Sequence, residues 1–276
     1  MPEGPEMYRM AQQIRAAVAA QPLTEVWFAR ADLQQHAAML QAQTLRHVST
    51  VGKALLLQFS NGACVYTHNQ LYGRWLFSKP HSRPDTRRQL RLAVSTATRS
   101  ALLYSASTIE LIQTDDLPQH PFIRRAGLDV LNAEASQSEI AGWLSRPQFA
   151  RRRLGPMLLD QGFIAGVGNY LRSEILFKAG LHHHRRLCDL DSTARHRLAA
   201  AIHLLFWRSV QTAGITNDAE RVQQLKQACW RRRDYRHYVF GRDGQACFLC
   251  DSPIRKTLVS GRRLYHCTQC QPGALP

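Results

Sequence analysis

The stretch FIAGVGNYLRSEIL, running from Phe163 to Leu176, puts two glycines directly ahead of a run with helical apolar spacing. Gly166-x-Gly168 has the opening of a dinucleotide-binding fingerprint, but the third glycine position holds Leu171 and no strand precedes it, so that reading fails. The glycines instead suit a tight turn between two helices, the second starting near Asn169. The amides of such a turn, the helix N-terminus and the Asn169 side chain can together hold a phosphate. Asn169 as a simple helix N-cap is the competing reading.

Around this turn the signals are helical. Residues 138–144, 154–161, 169–179 and 192–212 carry helical spacing, whereas 216–236 is polar and basic with weak spacing and receives no assignment. Beyond it lies the strongest chemical pattern: Cys247-x2-Cys250, then 16 residues, then Cys267-x2-Cys270. Each pair offers two thiolates to one face of a tetrahedral ion, and four protein ligands leave no open position, so one structural Zn2+ is expected. Between the pairs, IRKTLVSGRRLYH reads as two short strands around Ser260-Gly261, with Arg262 and Arg263 near the tip. These arginines are either a solvated turn or, in so basic a chain, a phosphate contact. His182, His183 and His184 read as a polar loop, because three consecutive residues in regular structure cannot all face one ion. Cys64, Cys188 and Cys229 lack partners at motif spacing and read as ordinary thiols.

Toward the N-terminus, residues 5–20 place Met7, Met10, Ile14 and Val18 on one helical face, with Pro5 and Glu6 suited to the first turn. From Leu23 to about Tyr104 the pattern becomes short β-type runs. ALLLQFSNGACVYTH contains Asn61-Gly62, a strong hairpin signal, and RLAVS and ALLYSA flank another polar turn. This half reads as a β-sandwich, and 127–136 as a linker. The chain begins MPEGPEM, and a proline at position 2 favours trimming of Met1, which leaves a secondary amine.

The 276 residues, 45% hydrophobic, suffice for a sizeable core. Lys+Arg total 36 against 20 Asp+Glu, a formal charge of +16 spread without long blocks. Such a surface favours a polyanion, nucleic acid before an anionic membrane. The N-terminus lacks an apolar leader and no run approaches 18 apolar residues, so secretion and membrane spanning are not expected and the chain is placed in the cytoplasm.

Taken in order, P-E-G-P-E, GKALL, HNQLYG, GVGNYLRSEIL and the four-cysteine hairpin resemble the formamidopyrimidine-DNA glycosylase and endonuclease VIII family over nearly the whole chain. THNQLYGRW and LLYSAS-x-IE look like the endonuclease VIII branch, which acts mainly on oxidised pyrimidines. The resemblance implies a two-domain α+β fold: an N-terminal β-sandwich with flanking helices (1–126), a hinge (127–135), a helical domain with a helix-two-turn-helix (136–239) and a four-cysteine zinc-finger β-hairpin (240–276). It implies a monomeric base-excision enzyme acting on double-stranded DNA with oxidised bases or abasic sites. Pro2 would be the nucleophile and Glu3 the general acid; Lys53 would contact phosphate and support catalysis; Asn169 and Arg262 would clamp the flipped nucleotide; Gln70, Leu71 and Tyr72 would fill the vacated space. On residues alone, Lys53 is a strand-end charge and 70–72 an ordinary turn, while Glu6 is either a first-turn acid or an aid to positioning the site. An oxidised-purine glycosylase on this scaffold and a non-catalytic zinc-ribbon nucleic-acid binder are the alternatives.

Overall fold

The computed structural model describes residues 2–273, so the expected trimming of Met1 lies outside the described residues. Two compact units divide between Arg125 and Ala126.

In the first unit, helix α1 (Gly4–Val18) opens on a capping box closed by Glu3 and Glu6, with Pro5 in its first turn. Met7, Ala11, Ile14 and Val18 form its buried face. Strand β1 (Leu23–Phe28) and two one-turn helices, α2 (Ala31–Gln34) and α3 (Ala37–Leu40), follow. Seven strands then alternate with turns: β2 (Leu45–Val51), β3 (Ala54–Phe59), β4 (Ala63–His68), β5 (Arg74–Ser78), β6 (Leu90–Thr96), β7 (Ser100–Tyr104) and β8 (Thr108–Gln113), before the short helix α4 (Pro121–Arg125). They form two antiparallel four-stranded sheets, ordered β1-β6-β7-β5 and β2-β3-β4-β8.

The period of two along each strand decides which side chains meet. Leu55, Leu57 and Phe59 of β3 join Leu92, Val94, Ala101, Leu103 and the α1 face in one core. Ala54 and Leu56 point the other way, onto Cys64, Tyr66 and Leu117, with Phe122 and Ile123 packed alongside. Asn61-Gly62 does make a hairpin, but the loop is Ser60 to Gly62, three residues long, and only Gly62 is left-handed, at φ +83°. The Asn61 side chain accepts from the Ala63 amide at 3.2 Å.

The second unit contains α5 (Gln137–Leu144), α6 (Leu154–Met157), α7 (Asn169–Ala179), α8 (Ser192–Thr212), α9 (Ala219–Gln227) and α10 (Arg232–Tyr235), then the hairpin β9 (Ile254–Val259) and β10 (Arg262–Cys267). Helix α7 packs on both α8 and β10. The helical spacing over 154–161 yields only one helical turn. Past Met157 the chain tightens into i→i+3 bonds, and Asp160 Oδ1 draws in the Gly162 amide at 2.8 Å. The segment read as a linker is packed: Leu128 bridges Ile164, and Val130, Leu131 and Ala135 are buried. The unassigned 216–236 stretch forms α9 and α10, with Val222, Tyr235 and Ile215 clustered between them and Leu225 against the cluster. No helix among the described residues is long and apolar enough to cross a membrane.

Candidate functional site

In the first unit, Pro2 and Glu3 lie at the start of α1. Pro2 is half-buried, and Glu3 is only 4% exposed. The Glu3 amide donates to Glu6 Oε2 at 3.0 Å, and in return the Glu3 side chain accepts from the Glu6 amide. Glu6 therefore fixes the backbone next to Pro2. One turn later Met7 donates its amide to the Glu3 carbonyl, and its Sδ takes the Asn69 side-chain amide at 3.5 Å. This links α1 to the turn between β4 and β5.

Lys53 sits in the two-residue turn between β2 and β3, where Gly52 takes φ +57° at the first central position, as a primed hairpin turn needs. The lysine is 7% exposed rather than a solvated strand-end charge. Ala54 pairs with His68 across the sheet. Burial and then the Lys53 charge hold the His68 imidazole below its ordinary pKa. A neutral His68 matches its bonding, since Nδ1 accepts from the Gln70 amide at 3.1 Å.

The 69–73 turn presents its apolar side chains outward. Leu71 is 64% and Tyr72 70% exposed, a large cost in apolar surface for two adjacent residues. Their backbone is nonetheless fixed. Gly73 donates to the Asn69 carbonyl at 2.7 Å, and a Cβ at Gly73 would lie 2.6 Å from Asn69 backbone atoms. Arg88 donates to the Tyr72 carbonyl at 2.7 Å. The Gln70 amide donates to Thr108 Oγ1 at 2.9 Å and accepts from the Ser107 hydroxyl at 2.8 Å, which sets its orientation. Arg88, Ser107 and Thr108 carried no sequence signal for this task, because their partners are far along the chain.

In the second unit the glycine turn is braced by Gln161, whose Oε1 accepts from the Gly166 amide and whose Nε2 donates to the Val167 carbonyl, each at 3.0 Å. Gly166 takes φ +95°. The N-cap of α7 is Gly168, so the N-cap reading of Asn169 is replaced: it is the first helical residue, and its buried Oδ1 has no hydrogen-bond partner among the described residues. One turn on, the fully buried Arg172 donates to the carbonyls of Arg262 (3.3 Å) and Arg263 (2.9 Å). Ser173 Oγ takes the Tyr265 amide at 3.2 Å. Glu174 accepts the amides of Tyr238, Val239 and Phe240 at 2.8, 2.9 and 2.9 Å, and also the Thr216 hydroxyl. Burial raises the Glu174 pKa, against the pull of these donors. Helix α7 thus ties the helix start that carries Asn169 to the strand that carries Arg262. Ser260 and Gly261, at φ +52° and +71°, turn the hairpin and leave the Arg262 and Arg263 side chains exposed.

The four hairpin cysteines converge. Cys250 Sγ lies 3.4 Å from Cys267 and 3.5 Å from Cys270, and Cys247 lies 3.9 Å from Cys270. Disulfide sulfurs would sit at about 2.05 Å, whereas a tetrahedral ion with bonds of about 2.3 Å sets sulfur edges near ~3.8 Å. Leu249 and Cys270 donate their amides to the Cys247 and Cys267 sulfurs at 3.4 Å, which favours thiolates. The cluster fits one metal ion.

The match of both units to known domains places the molecule among DNA-repair glycosylases with abasic-site lyase activity. The chain matches the formamidopyrimidine-DNA glycosylase N-terminal domain over residues 1–107 and the H2TH domain of that enzyme over 127–220. It is 42% identical over 271 residues to Endonuclease 8 of Salmonella schwarzengrund (strain CVM19633), covering 98% of this chain and all of that one. Endonuclease 8 of Salmonella paratyphi B is 41% identical over the same shares. Among solved structures, the Lactococcus lactis formamidopyrimidine-DNA glycosylase bound to DNA with an abasic site superposes with a TM-score of 0.78 at 19% identity, over 98% of this chain and 100% of that one. The chain belongs to the formamidopyrimidine-DNA glycosylase and endonuclease VIII family, an enzyme family, which sets aside the non-catalytic zinc-ribbon reading.

Proposed function

We propose that this chain excises oxidised bases, mainly pyrimidines, from double-stranded DNA through a Schiff base on Pro2, followed by β,δ-elimination. The observation that carries this reading is the buried Glu3 carboxylate held at the start of α1 directly beside Pro2. With Met1 removed, the Pro2 nitrogen is a secondary amine with a reference pKa near 8, so on the order of a tenth is unprotonated at pH 7. The positive end of α1 increases that fraction. The nitrogen attacks C1′, the bond from C1′ to the base breaks and the base leaves with the proton that the amine gives up, and Glu3 gives a proton to the opening sugar ring oxygen. A secondary amine yields an iminium with no N–H left to lose. That cation accepts the electron pair freed when a C2′ proton departs and the 3′ phosphate is expelled; loss of a C4′ proton from the resulting conjugated iminium then expels the 5′ phosphate.

Around this centre, Lys53 contacts the neighbouring phosphate, and Leu71 and Tyr72 enter the stack with Gln70 facing the orphaned base. Asn169, through its side-chain NH2, and Arg262 hold the backbone of the flipped nucleotide. Zn2+ at Cys247, Cys250, Cys267 and Cys270 fixes the hairpin and takes no part in bond breaking. The pyrimidine preference rests on the resemblance of THNQLYGRW and LLYSAS-x-IE to the endonuclease VIII branch. Faster cleavage of 8-oxoguanine opposite cytosine than of 5-hydroxyuracil or thymine glycol would overturn it in favour of the oxidised-purine reading.

The mechanism is tested by borohydride trapping on duplex DNA containing an abasic site. A covalent adduct is expected, with the crosslink mapping to Pro2. A chain that keeps Met1 should give none, because its Pro2 nitrogen is an amide. Trapping through a lysine, or equal trapping with Met1 in place, would exclude the Pro2 mechanism.

A further inference from the structure

The three consecutive histidines after Leu181 do not lie in regular structure. They occupy a turn closed by the Arg185 amide on the His182 carbonyl at 3.1 Å, and the turn gathers the rings that an extended strand or helix would spread apart. Ring centroids are 4.2 Å apart for His182 and His183, 4.2 Å for His183 and His184, and 5.0 Å for His182 and His184. One donor nitrogen from each lies within 4.8 Å of the other two. A fourth ring, His266 of β10, stands 5.3 Å from His183.

Two of these rings are buried with one nitrogen each left unbonded. His183 is 4% and His266 8% exposed, and Nδ1 of each has no hydrogen-bond partner among the described residues. A buried imidazole nitrogen left so costs about 1–3 kcal/mol, and native structures rarely keep two together without a reason. His183 is also fixed by its backbone: its carbonyl accepts the Gly155 amide at 2.9 Å, and a Cβ at Gly155 would stand 3.1 Å from His183 Cβ.

We propose that His182, His183 and His184 form a second metal site, separate from the four cysteines and lined by His266, that takes a borderline divalent transition-metal ion such as Zn2+. The donor set explains the metal class. It holds no carboxylate, so hard ions such as Mg2+ find no oxygen ligand here, whereas imidazole binds Zn2+, Ni2+ and Cu2+ well. Metal–nitrogen bonds of about 2.1 Å set tetrahedral edges near ~3.4 Å, so the rings must close by on the order of 1 Å. His182 also gives up a long bond, from the His184 amide to its Nδ1 at 3.3 Å. Three protein ligands leave one position open.

Equilibrium dialysis of the full chain against Zn2+, with zinc counted per chain, tests this. The unaltered protein is expected to bind one zinc more than the His182→Ala/His184→Ala variant, and the exposed-site variant His184→Ala alone to weaken that zinc by about tenfold or more. The comparison is independent of the cysteine site, which all three proteins keep. On saturation the His183 side-chain nitrogen resonances should shift. Equal zinc counts in the unaltered and doubly substituted proteins, or an unmoved His183 signal, would overturn the proposal.

Discussion

Replacing Glu3 by Gln is expected to slow excision of an oxidised pyrimidine by about 10²–10⁴-fold, the usual scale for a general acid, while leaving the unfolding transition of the first unit in place. The two halves of this result follow from the two tasks of one side chain. As half of the capping box, Glu3 needs only an oxygen to accept the Glu6 amide, and the Gln carbonyl oxygen supplies one. As an acid, it needs a proton that an amide does not release at the pH of the reaction. Single-turnover cleavage of thymine glycol DNA separates these tasks when read beside thermal unfolding. Activity within about threefold of the unaltered enzyme would remove Glu3 from the proposed chemistry. Glu6→Ala provides the contrast. It removes the acceptor of the Glu3 amide, 3.0 Å away, so it should cost stability by about 0.5–2 kcal/mol together with a smaller fraction of activity.

Much of this architecture was legible because local and tertiary preferences coincide. The α1 face, the β3 and β4 hairpin and the Ser260-Gly261 turn each follow from periodicity or turn chemistry within a dozen residues. The four cysteines were legible because thiolate spacing is set by the ion. Asn169 was located but its bonding was not: whether it or Gly168 caps α7 depends on a turn braced by Gln161, which no local pattern reports. The histidine run lies in a loop, as its sequence suggested, but the closeness of its rings was not legible for a related reason. Regular structure would separate the rings, and the turn that brings them together depends on the packing of Gly155 against His183. Arg88, Ser107 and Thr108 were silent because they act on residues 16, 37 and 38 positions away.

Arg172, Ser173 and Glu174 did leave a signal. Three successive helical residues span most of the circumference at about 100° each, and here they sit among Tyr170, Leu171, Ile175 and Leu176, all buried. A helix apolar on every face cannot turn all three polar groups to water, so at least one must bond inside. Glu174 is where that has the largest consequence. Glu174→Ala is expected to destabilise the second unit by about 3–5 kcal/mol, because the amides of Tyr238, Val239 and Phe240 then have no acceptor, and each buried unsatisfied amide costs about 1–3 kcal/mol. Relief of the buried carboxylate offsets part of that sum. Glu174→Gln should fall between, since its carbonyl keeps the Val239 and Phe240 amides while its NH2 faces the Tyr238 donor. The damage should reach the hairpin, because Tyr238 and Val239 pack against Cys247, Ile254, Tyr265 and Cys267. Hydrogen exchange at the three amides, read beside denaturant unfolding, locates the effect. Unchanged protection at 238–240 in the Ala variant, with a shift below about 1 kcal/mol, would mean that α7 does not anchor the cysteine hairpin through this carboxylate.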